Sequence, residues 1–229
     1  MLAAIEREKL DANVSLKPTQ LGLTIDEAMC RDNIAAVLEQ AHPRGIFVRI
    51  DMEDSPTTDA TLRVFRDLIR RFPGGCGVVL QARLHRTLAD ARALGTERAS
   101  VRLCKGIYLE PRRLAWQERD IIRNAYVHAL TALLQGGSPV GIATHDEWLV
   151  AQAMAIIEEL RVDRTGVEFQ MLLGVDPELR RIIVDAGHRL RVYVPFGSHW
   201  YPYSVRRLRE NPTIVRAGLD AFVHGRMER

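Results

Sequence analysis

The chain has 229 residues, with 32 Lys or Arg and 29 Asp or Glu, so its formal net charge is only +3. This balance gives no electrostatic reason to expect nucleic acid or an anionic membrane as the main partner. The hydrophobic fraction of 47% is that of a packed globular protein. Three widely spaced cysteines exclude a disulfide framework or a zinc knuckle, and the start is charged too early for a signal peptide. We therefore expect a cytoplasmic protein.

Short β-rich runs alternate with longer segments of helical periodicity along the whole chain. The predicted strands are residues 14–17, 46–52, 77–84, 100–106, 140–145, 167–172 and 190–197. Helical periodicity is clearest in residues 57–72, 120–134 and 146–161. The predicted helix starts are Thr24 with Glu27 three residues later, Thr57 or Thr58, and Asp176 before Pro177. Strands that alternate with crossover helices imply a parallel sheet, in a single domain over residues 1–229.

The number of strands leaves two α/β architectures open. Seven strands are one fewer than a closed (β/α)8 barrel needs, and an open doubly wound sheet is the alternative. Polar residues favour the barrel, because nearly every predicted strand ends in one, whereas a doubly wound sheet gathers them at one switch point. These residues are Lys17, Asp51, Gln81, Arg102, Lys105, His145, Gln170 and Tyr193. We predict a TIM-like barrel that lacks its first strand and carries its functional groups on the C-terminal rim.

The densest polar signal is the segment 191–210, RVYVPFGSHWYPYSVRRLRE. A helix is predicted after its strand, and four residues share one face of that helix: Tyr203, Arg206, Arg207 and Glu210. Two adjacent guanidinium groups beside an aromatic ring can clamp a carboxylate, because each presents a planar fork to a planar anion. The alternative is a solvated helix face with ordinary ion pairs.

Other polar groups give weaker signals. Asp51, Glu53 and Asp54 could hold a divalent cation, but we favour an ion pair between Asp51 and a rim cation such as Lys17, with the other two opening the next helix. No zinc-ligand spacing or serine-hydrolase signature is present, and we predict no metal. The sequence also lacks a glycine-rich nucleotide loop, so rim residues would have to bind any nucleotide cofactor.

Seven motifs together resemble bacterial proline dehydrogenase. They are VSLKPTQLGL (14–23), RIDMEDS (49–55), VLQARLHRT (79–87), VRLCKGIYLEP (101–111), IATHD (142–146), EFQMLLGV (168–175) and YVPFGSHWYPYSVRRLRE (193–210). The resemblance implies a distorted (β/α)8 barrel of the proline dehydrogenase type with FAD on its C-terminal rim. It also implies oxidation of L-proline to Δ1-pyrroline-5-carboxylate and transfer of the electrons to a membrane quinone. The protein would be cytoplasmic and peripheral to the inner membrane, and the resemblance allows an oligomer.

The resemblance also implies roles for individual residues. Arg206, Arg207 and Lys17 would bind the proline carboxylate, with Lys17 held by Asp51 and Glu210 paired with the arginines. Tyr193, Tyr203 and Leu172 would pack against the pyrrolidine ring. Arg102 would lie near flavin N5, and with Asp51, Lys17 and Tyr193 it completes the implied catalytic set. The further FAD contacts would be Met52, Gln81, Lys105, Gly106, Ile107, Tyr108, Thr144, His145 and Gln170.

Some features depart from the family pattern. Pro18 follows the lysine and can end strand pairing early, Ile107 replaces a small residue, and Phe196 replaces a tyrosine. The family also has a longer N-terminal region that carries helices and the first barrel strand. Two other hypotheses therefore stand beside the proline:quinone oxidoreductase. One is a catalytically inactive fragment that serves as a binding or assembly module. The other is a different flavin-dependent barrel oxidoreductase, against which the arginine helix argues.

Overall fold

A computed structural model describes residues 1–195, in which strands and helices alternate from beginning to end. The strands are β1 (Val14–Leu16), β2 (Val48–Ile50), β3 (Cys76–Gln81), β4 (Val101–Cys104), β5 (Val140–Ala143), β6 (Val167–Leu172) and β7 (Leu190–Tyr193). The helices are α1 (Leu2–Arg7), α2 (Glu27–Ala41), α3 (Thr58–Arg71), α4 (Thr87–Thr96), α5 (Arg119–Gln135), α6 (Glu147–Glu159) and α7 (Pro177–Asp185).

The order of the strands decides between the two architectures. All seven strands are parallel and follow one another from β1 to β7 without a reversal. A doubly wound sheet must reverse its order at the switch point, so that alternative is excluded. Each crossover instead adds the next strand on the same side of the previous one, and the sheet therefore curls towards a barrel. Within residues 1–195 the predicted TIM-like α/β architecture with seven strands is therefore confirmed.

Side chains show how strongly the sheet curls. Arg102 on β4 donates hydrogen bonds to Ser15 on β1 and to Gln170 on β6, so a central strand reaches strands on both sides. Ahead of β1, Asp11 accepts hydrogen bonds from Arg189 at 2.7 Å and, through its carbonyl, from Arg191 at 3.1 Å. Within residues 1–195 no backbone pairing joins β1 to β7, and these side chains bridge the two edges.

Successive side chains of each strand alternate between two faces of the sheet. One face packs against the helices and forms the core, and the other faces the interior of the curled sheet. On β4, Val101 and Leu103 are fully buried towards the helices, whereas Arg102 and Cys104 take the opposite face. On β5 the corresponding position is Gly141, where a Cβ atom would lie 2.5 Å from Nε2 of Gln170. The glycine therefore leaves room for a long polar side chain to cross the interior.

Several element boundaries differ from the predicted ones for local reasons. The cap of α2 is Asp26, whose carboxylate accepts a hydrogen bond from Met29 N at 2.7 Å, so the prediction of Thr24 is wrong. The Asp176 cap of α7 is confirmed by a bond of 2.9 Å from Leu179 N. Pro18 opens a 3-10 turn directly after β1, which limits that strand to three residues.

Within residues 1–195, two buried cysteines are excluded as nucleophiles, and no helix qualifies as a membrane span. All three cysteines are free thiols. Burial raises the pKa of Cys30 to about 11 and that of Cys76 to about 12, so neither is a nucleophile at neutral pH. Of the helices in this part of the chain, none combines the length and the apolar character needed to cross a membrane.

Candidate active site

A network centred on Arg102 extends through the interior of the curled sheet to Asp51, which directly follows β2. The guanidinium donates from Nη1 to Asp51 Oδ1 at 2.9 Å, from Nη2 to Ser15 Oγ at 3.0 Å and from Nε to Gln170 Oε1 at 2.6 Å. The side chains of Arg102 and Asp51 are only 12% and 14% exposed. Residues from β1, β4, β6 and the end of β2 thus meet at one guanidinium group, which fixes its orientation.

The partner of Asp51 differs from the expected one. The sequence suggested that Asp51 holds Lys17, but within residues 1–195 the carboxylate forms its ion pair with Arg102 and none with Lys17. The backbone amide of Asp51 donates instead to Leu16 O at 2.8 Å, one residue before the lysine. Burial raises the pKa of Asp51, although the charges of Arg102 and Lys17 oppose the shift.

A second polar cluster surrounds Asp146, which follows β5. Its carboxylate accepts hydrogen bonds from Lys105 at 3.0 Å and from two nitrogens of Arg123 at 2.8 and 3.0 Å, and Arg119 lies 3.6 Å away. Burial of Asp146 acts to raise its pKa, but the hydrogen bonds from Arg123 and Lys105 outweigh it and hold the pKa well below its usual range. The cations outnumber the carboxylates here even when the exposed Asp120 beside Arg123 is included.

Sequence reasoning found Lys105 but missed Arg119 and Arg123. Both arginines lie in the first turns of α5, one helical turn apart, and both reach towards Asp146. Their spacing of four residues was the signal that could have found them. It resembles an ordinary charged helix face, and only the packing of α5 beside α6 directs it at Asp146.

Gly106 forms a close backbone contact between the two clusters. Its φ of +99° lies in the left-handed region, and a Cβ atom there would lie 2.9 Å from Gln81 Oε1 and 2.9 Å from Arg83 Cδ. Gln81 is itself fixed, because its Nε2 donates to Glu53 O at 2.6 Å. The backbone at Gly106 therefore lies directly against a buried amide, and only a glycine fits beside Gln81 and Arg83.

Half-buried side chains form the walls beside this backbone. Leu172 and Tyr193 are register partners on β6 and β7 and lie side by side at the rim. His145 Nε2 accepts a hydrogen bond of 2.8 Å from Leu172 N, which ties the end of β5 to the end of β6. At Tyr108, burial together with the charges of Glu53 and Asp51 raises the pKa to about 12. The tyrosine therefore stays protonated over the physiological range.

Other predicted site residues have different surroundings. The Met52 side chain is buried in the core, Ile107 is exposed, and the Thr144 hydroxyl accepts a hydrogen bond from Asp146 N at 3.0 Å. Tyr203, Arg206, Arg207 and Glu210, together with Phe196, lie outside the described residues. The carboxylates after β2 have separate partners, since Glu53 binds the amide and hydroxyl of Thr19, both at 2.8 Å. Residues 1–195 contain no group of three or more potential metal ligands.

A cavity of about 600 Å³ lies at the opposite end of the strands. Its charges are largely compensated, because Arg191 pairs with Glu168 and Asp11, and Arg49 donates to the carbonyls of Val78 and Ser100. In barrel enzymes the residues at this end serve stability, whereas catalytic groups lie at the C-terminal ends of the strands. The candidate active site is therefore the rim and not this cavity.

Comparison with known protein families and sequences identifies relatives of this chain. A family model described as Proline dehydrogenase matches residues 2–217. Proline dehydrogenase 2 of Bacillus subtilis (strain 168) is 35% identical over 214 residues, which covers 93% of this chain and 70% of the relative. Proline dehydrogenase of Deinococcus radiodurans is 34% identical over 203 residues, which covers 87% of this chain and 66% of the relative.

Solved structures share the fold. Proline utilization A (PutA) from Bdellovibrio bacteriovorus, inactivated by N-propargylglycine, superposes with a TM-score of 0.83 at 26% identity. The match covers 92% of this chain but only 27% of that one, so the chain corresponds to about a quarter of the longer protein.

Proposed function

Because the chain belongs to the proline dehydrogenase family, we propose that it oxidises L-proline to Δ1-pyrroline-5-carboxylate with FAD as the electron acceptor. The observation that carries this proposal is the arrangement around Gly106. The half-buried backbone there packs against Gln81 and directly follows Lys105 of the cationic cluster at Asp146, and Arg102, which pairs with Asp51, lies four residues earlier in the chain. A flavin dinucleotide has a flat polar ring at one end and phosphates further along, and this arrangement offers donors for both.

The residues present fit FAD by the chemistry of their donors. Lys105, with Arg119 and Arg123 behind it, would hold the phosphates, because several cations there face few carboxylates. Gln81, Gln170 and the backbone of Gly106 would contact the ring, and a side chain at Gly106 would displace Gln81. Thr144 and His145 would contact the cofactor from the end of β5. Met52 would contribute only its backbone, since its side chain is buried. When bound, FAD supplies a hydride acceptor, which no side chain can provide.

The protein's own residues would bind and orient the substrate. Lys17 and, by motif, Arg206 and Arg207 would fix the carboxylate, with Glu210 holding the arginines. Leu172, Tyr193 and Tyr203 would pack against the apolar face of the ring. Arg102 would be held in place by Asp51, Ser15 and Gln170 and would keep a positive charge near the reacting carbon. The ring nitrogen must release its proton before the adjacent C–H bond breaks, so activity should rise from acidic to basic pH.

The proposed final electron acceptor is a quinone in the membrane, which the protein would meet from the cytoplasmic side. This step would regenerate oxidised FAD. A soluble dye can replace the quinone in an assay, so the proline reaction can be tested without a membrane.

The full chain loaded with FAD provides the test. We expect bound flavin to be bleached by proline and proline-dependent reduction of a soluble dye. Arg206→Met or Arg207→Met should lower kcat/KM about 10- to 150-fold, mainly through KM, because each removes one charge-assisted bond to the carboxylate. Bound flavin that proline does not reduce would support another flavin barrel oxidoreductase. A folded chain that binds no flavin would support a binding or assembly module.

A further inference from the structure

The loop between β4 and α5 exposes large apolar side chains at the rim. Leu109 is 98% exposed, and Leu114 and Trp116 are exposed as well. A groove of about 280 Å³ continues the apolar surface beside Trp116, whose ring packs at 4.3 Å against that of His85. We call Leu109, Arg112, Arg113, Leu114 and Trp116 the rim loop surface. Clustered apolar side chains in water mark an interaction surface, since single exposed ones are ordinary but groups are not.

The backbone of this loop is held in place at several points. His85 N donates to Leu114 O at 2.9 Å, and Trp116 N donates to Arg83 O at 2.8 Å, on either side of the fully buried Ala115. Near the other end, the carboxylate of Glu110 accepts bonds of 2.6 Å from both the amide and the hydroxyl of Ser55. The apolar side chains are therefore presented to solvent by a fixed scaffold, which lowers the entropy cost of docking.

The charges of the loop point to an anionic partner. Arg112 and Arg113 are exposed, and neither forms an ion pair with any residue in the range 1–195. The carboxylate between Leu109 and these arginines, Glu110, turns away to Ser55 and does not neutralise them. The whole chain carries a net charge of only +3, but this surface is locally cationic, and local charge governs contacts within a Debye length.

We propose that the rim loop surface docks on an anionic lipid bilayer, with Leu109, Leu114 and Trp116 in the interface and Arg112 and Arg113 at the headgroups. Tryptophan with aliphatic and arginine side chains is the composition that membrane interfaces favour. A second copy of the chain fits less well, because a symmetric contact would bring unpaired arginines together. The proposal rests on the proposed function in one respect: the loop directly follows Lys105 and Gly106, so docking places the flavin rim against the phase that dissolves quinone.

Co-sedimentation of the FAD-loaded full chain with lipid vesicles tests the proposal without proline. We expect binding to phosphatidylcholine vesicles that contain about a third phosphatidylglycerol, and much weaker binding to pure phosphatidylcholine. The double substitution Arg112→Gln with Arg113→Gln should lower the partition coefficient about 30-fold on anionic vesicles, at about a factor of five per charge. Leu109→Ser should lower it about tenfold on the same vesicles.

Matched controls lie on α7, away from the rim. Val184 is 52% exposed and Arg181 is exposed, so Val184→Ser and Arg181→Gln remove similar groups elsewhere and should leave partitioning unchanged. Equal loss in the control and rim variants, or no binding by the wild type, would overturn the proposal. A dimer in the absence of lipid that only the rim variants dissociate would also overturn it, in favour of a self-interface.

Dye reduction separates this proposal from the proposed function. Neither Leu109 nor the two arginines belongs to the proposed active site, so all of these variants should reduce a soluble dye at the wild-type rate. Dye reduction without vesicle binding would refute docking and keep the enzyme assignment. Vesicle binding without proline-dependent dye reduction would keep docking and refute the enzyme assignment.

Discussion

The two carboxylates at the rim, Asp51 and Asp146, both pair with arginine, yet their pKa values shift in opposite directions. Asp51 has one guanidinium partner and its pKa is raised by burial. Asp146 receives three hydrogen bonds from Arg123 and Lys105, and these outweigh burial and lower its pKa. The balance between burial and the number of direct charged donors therefore decides the sign, and an ion pair alone does not. The comparison also distinguishes two kinds of site. In the buried Arg102–Asp51 pair the two charges neutralise each other, whereas the cluster at Asp146 has an excess of positive charge that can bind an anionic ligand.

Breaking the buried pair should have the largest effect. Arg102→Met leaves the Asp51 carboxylate buried without its direct ion-pair partner, which should lower the free energy of unfolding by about 3–5 kcal/mol. Urea unfolding measures this change. The double variant Asp51→Asn with Arg102→Met should lose clearly less than the sum of the two single variants, because both charges are removed together. Strictly additive losses would show that the two residues are not coupled.

Asp146→Asn should have a smaller effect, about 2 kcal/mol at neutral pH, because its partners Lys105 and Arg123 are partly solvated. The pH dependence is diagnostic. The lowered pKa makes Asp146 stabilising above its ordinary value of 3.8, and this contribution is lost as the pH falls towards the folded-state pKa. The variant should therefore lose less stability on acidification than the wild type does.

Asp51→Asn should show the opposite sign in the same acid titration. The pKa of Asp51 is raised, so the folded state takes up a proton first as the pH falls, and this uptake favours folding. The variant lacks that contribution and should lose more stability than the wild type when the pH is lowered towards 3.8. Urea midpoints measured for both variants across this range test the comparison directly, and equal slopes would contradict it.

The smallest expected effect concerns Gly106, which lies between the two clusters. Gly106→Ala combines a strained φ with a clash at Gln81, and we expect a loss of about 1–2 kcal/mol and weaker flavin binding in a fluorescence titration. Gly174→Ala is the matched control, because its φ of +78° brings the same strain while nothing lies within 4 Å of the new Cβ. Equal effects of both substitutions on flavin binding would remove Gly106 from the proposed cofactor site.

Local sequence patterns predicted the strands and their polar ends, because each depends on a few neighbouring residues. The partners of those polar ends depend on the curl of the sheet, which no local pattern contains. Arg102 reaches Ser15 and Gln170 only because β4 faces both β1 and β6 across the interior. The predicted ion pair of Asp51 with a rim cation is present, but its partner within residues 1–195 is Arg102 from β4 and not Lys17, whose charge nevertheless acts on the carboxylate.

Asp11 lies 178 positions from Arg189, which precedes β7, and 180 positions from Arg191 on β7, so these contacts have a consequence for folding order. A contact of such high sequence separation carries a large loop-closure cost until the intervening strands have paired. We expect it to form after the transition state. Asp11→Asn should then mainly speed unfolding and leave the refolding rate nearly unchanged in stopped-flow chevron measurements. The contacts of Asp11 with Arg189 and Arg191 would therefore form late in folding, and they would lengthen the lifetime of the folded protein by slowing its unfolding.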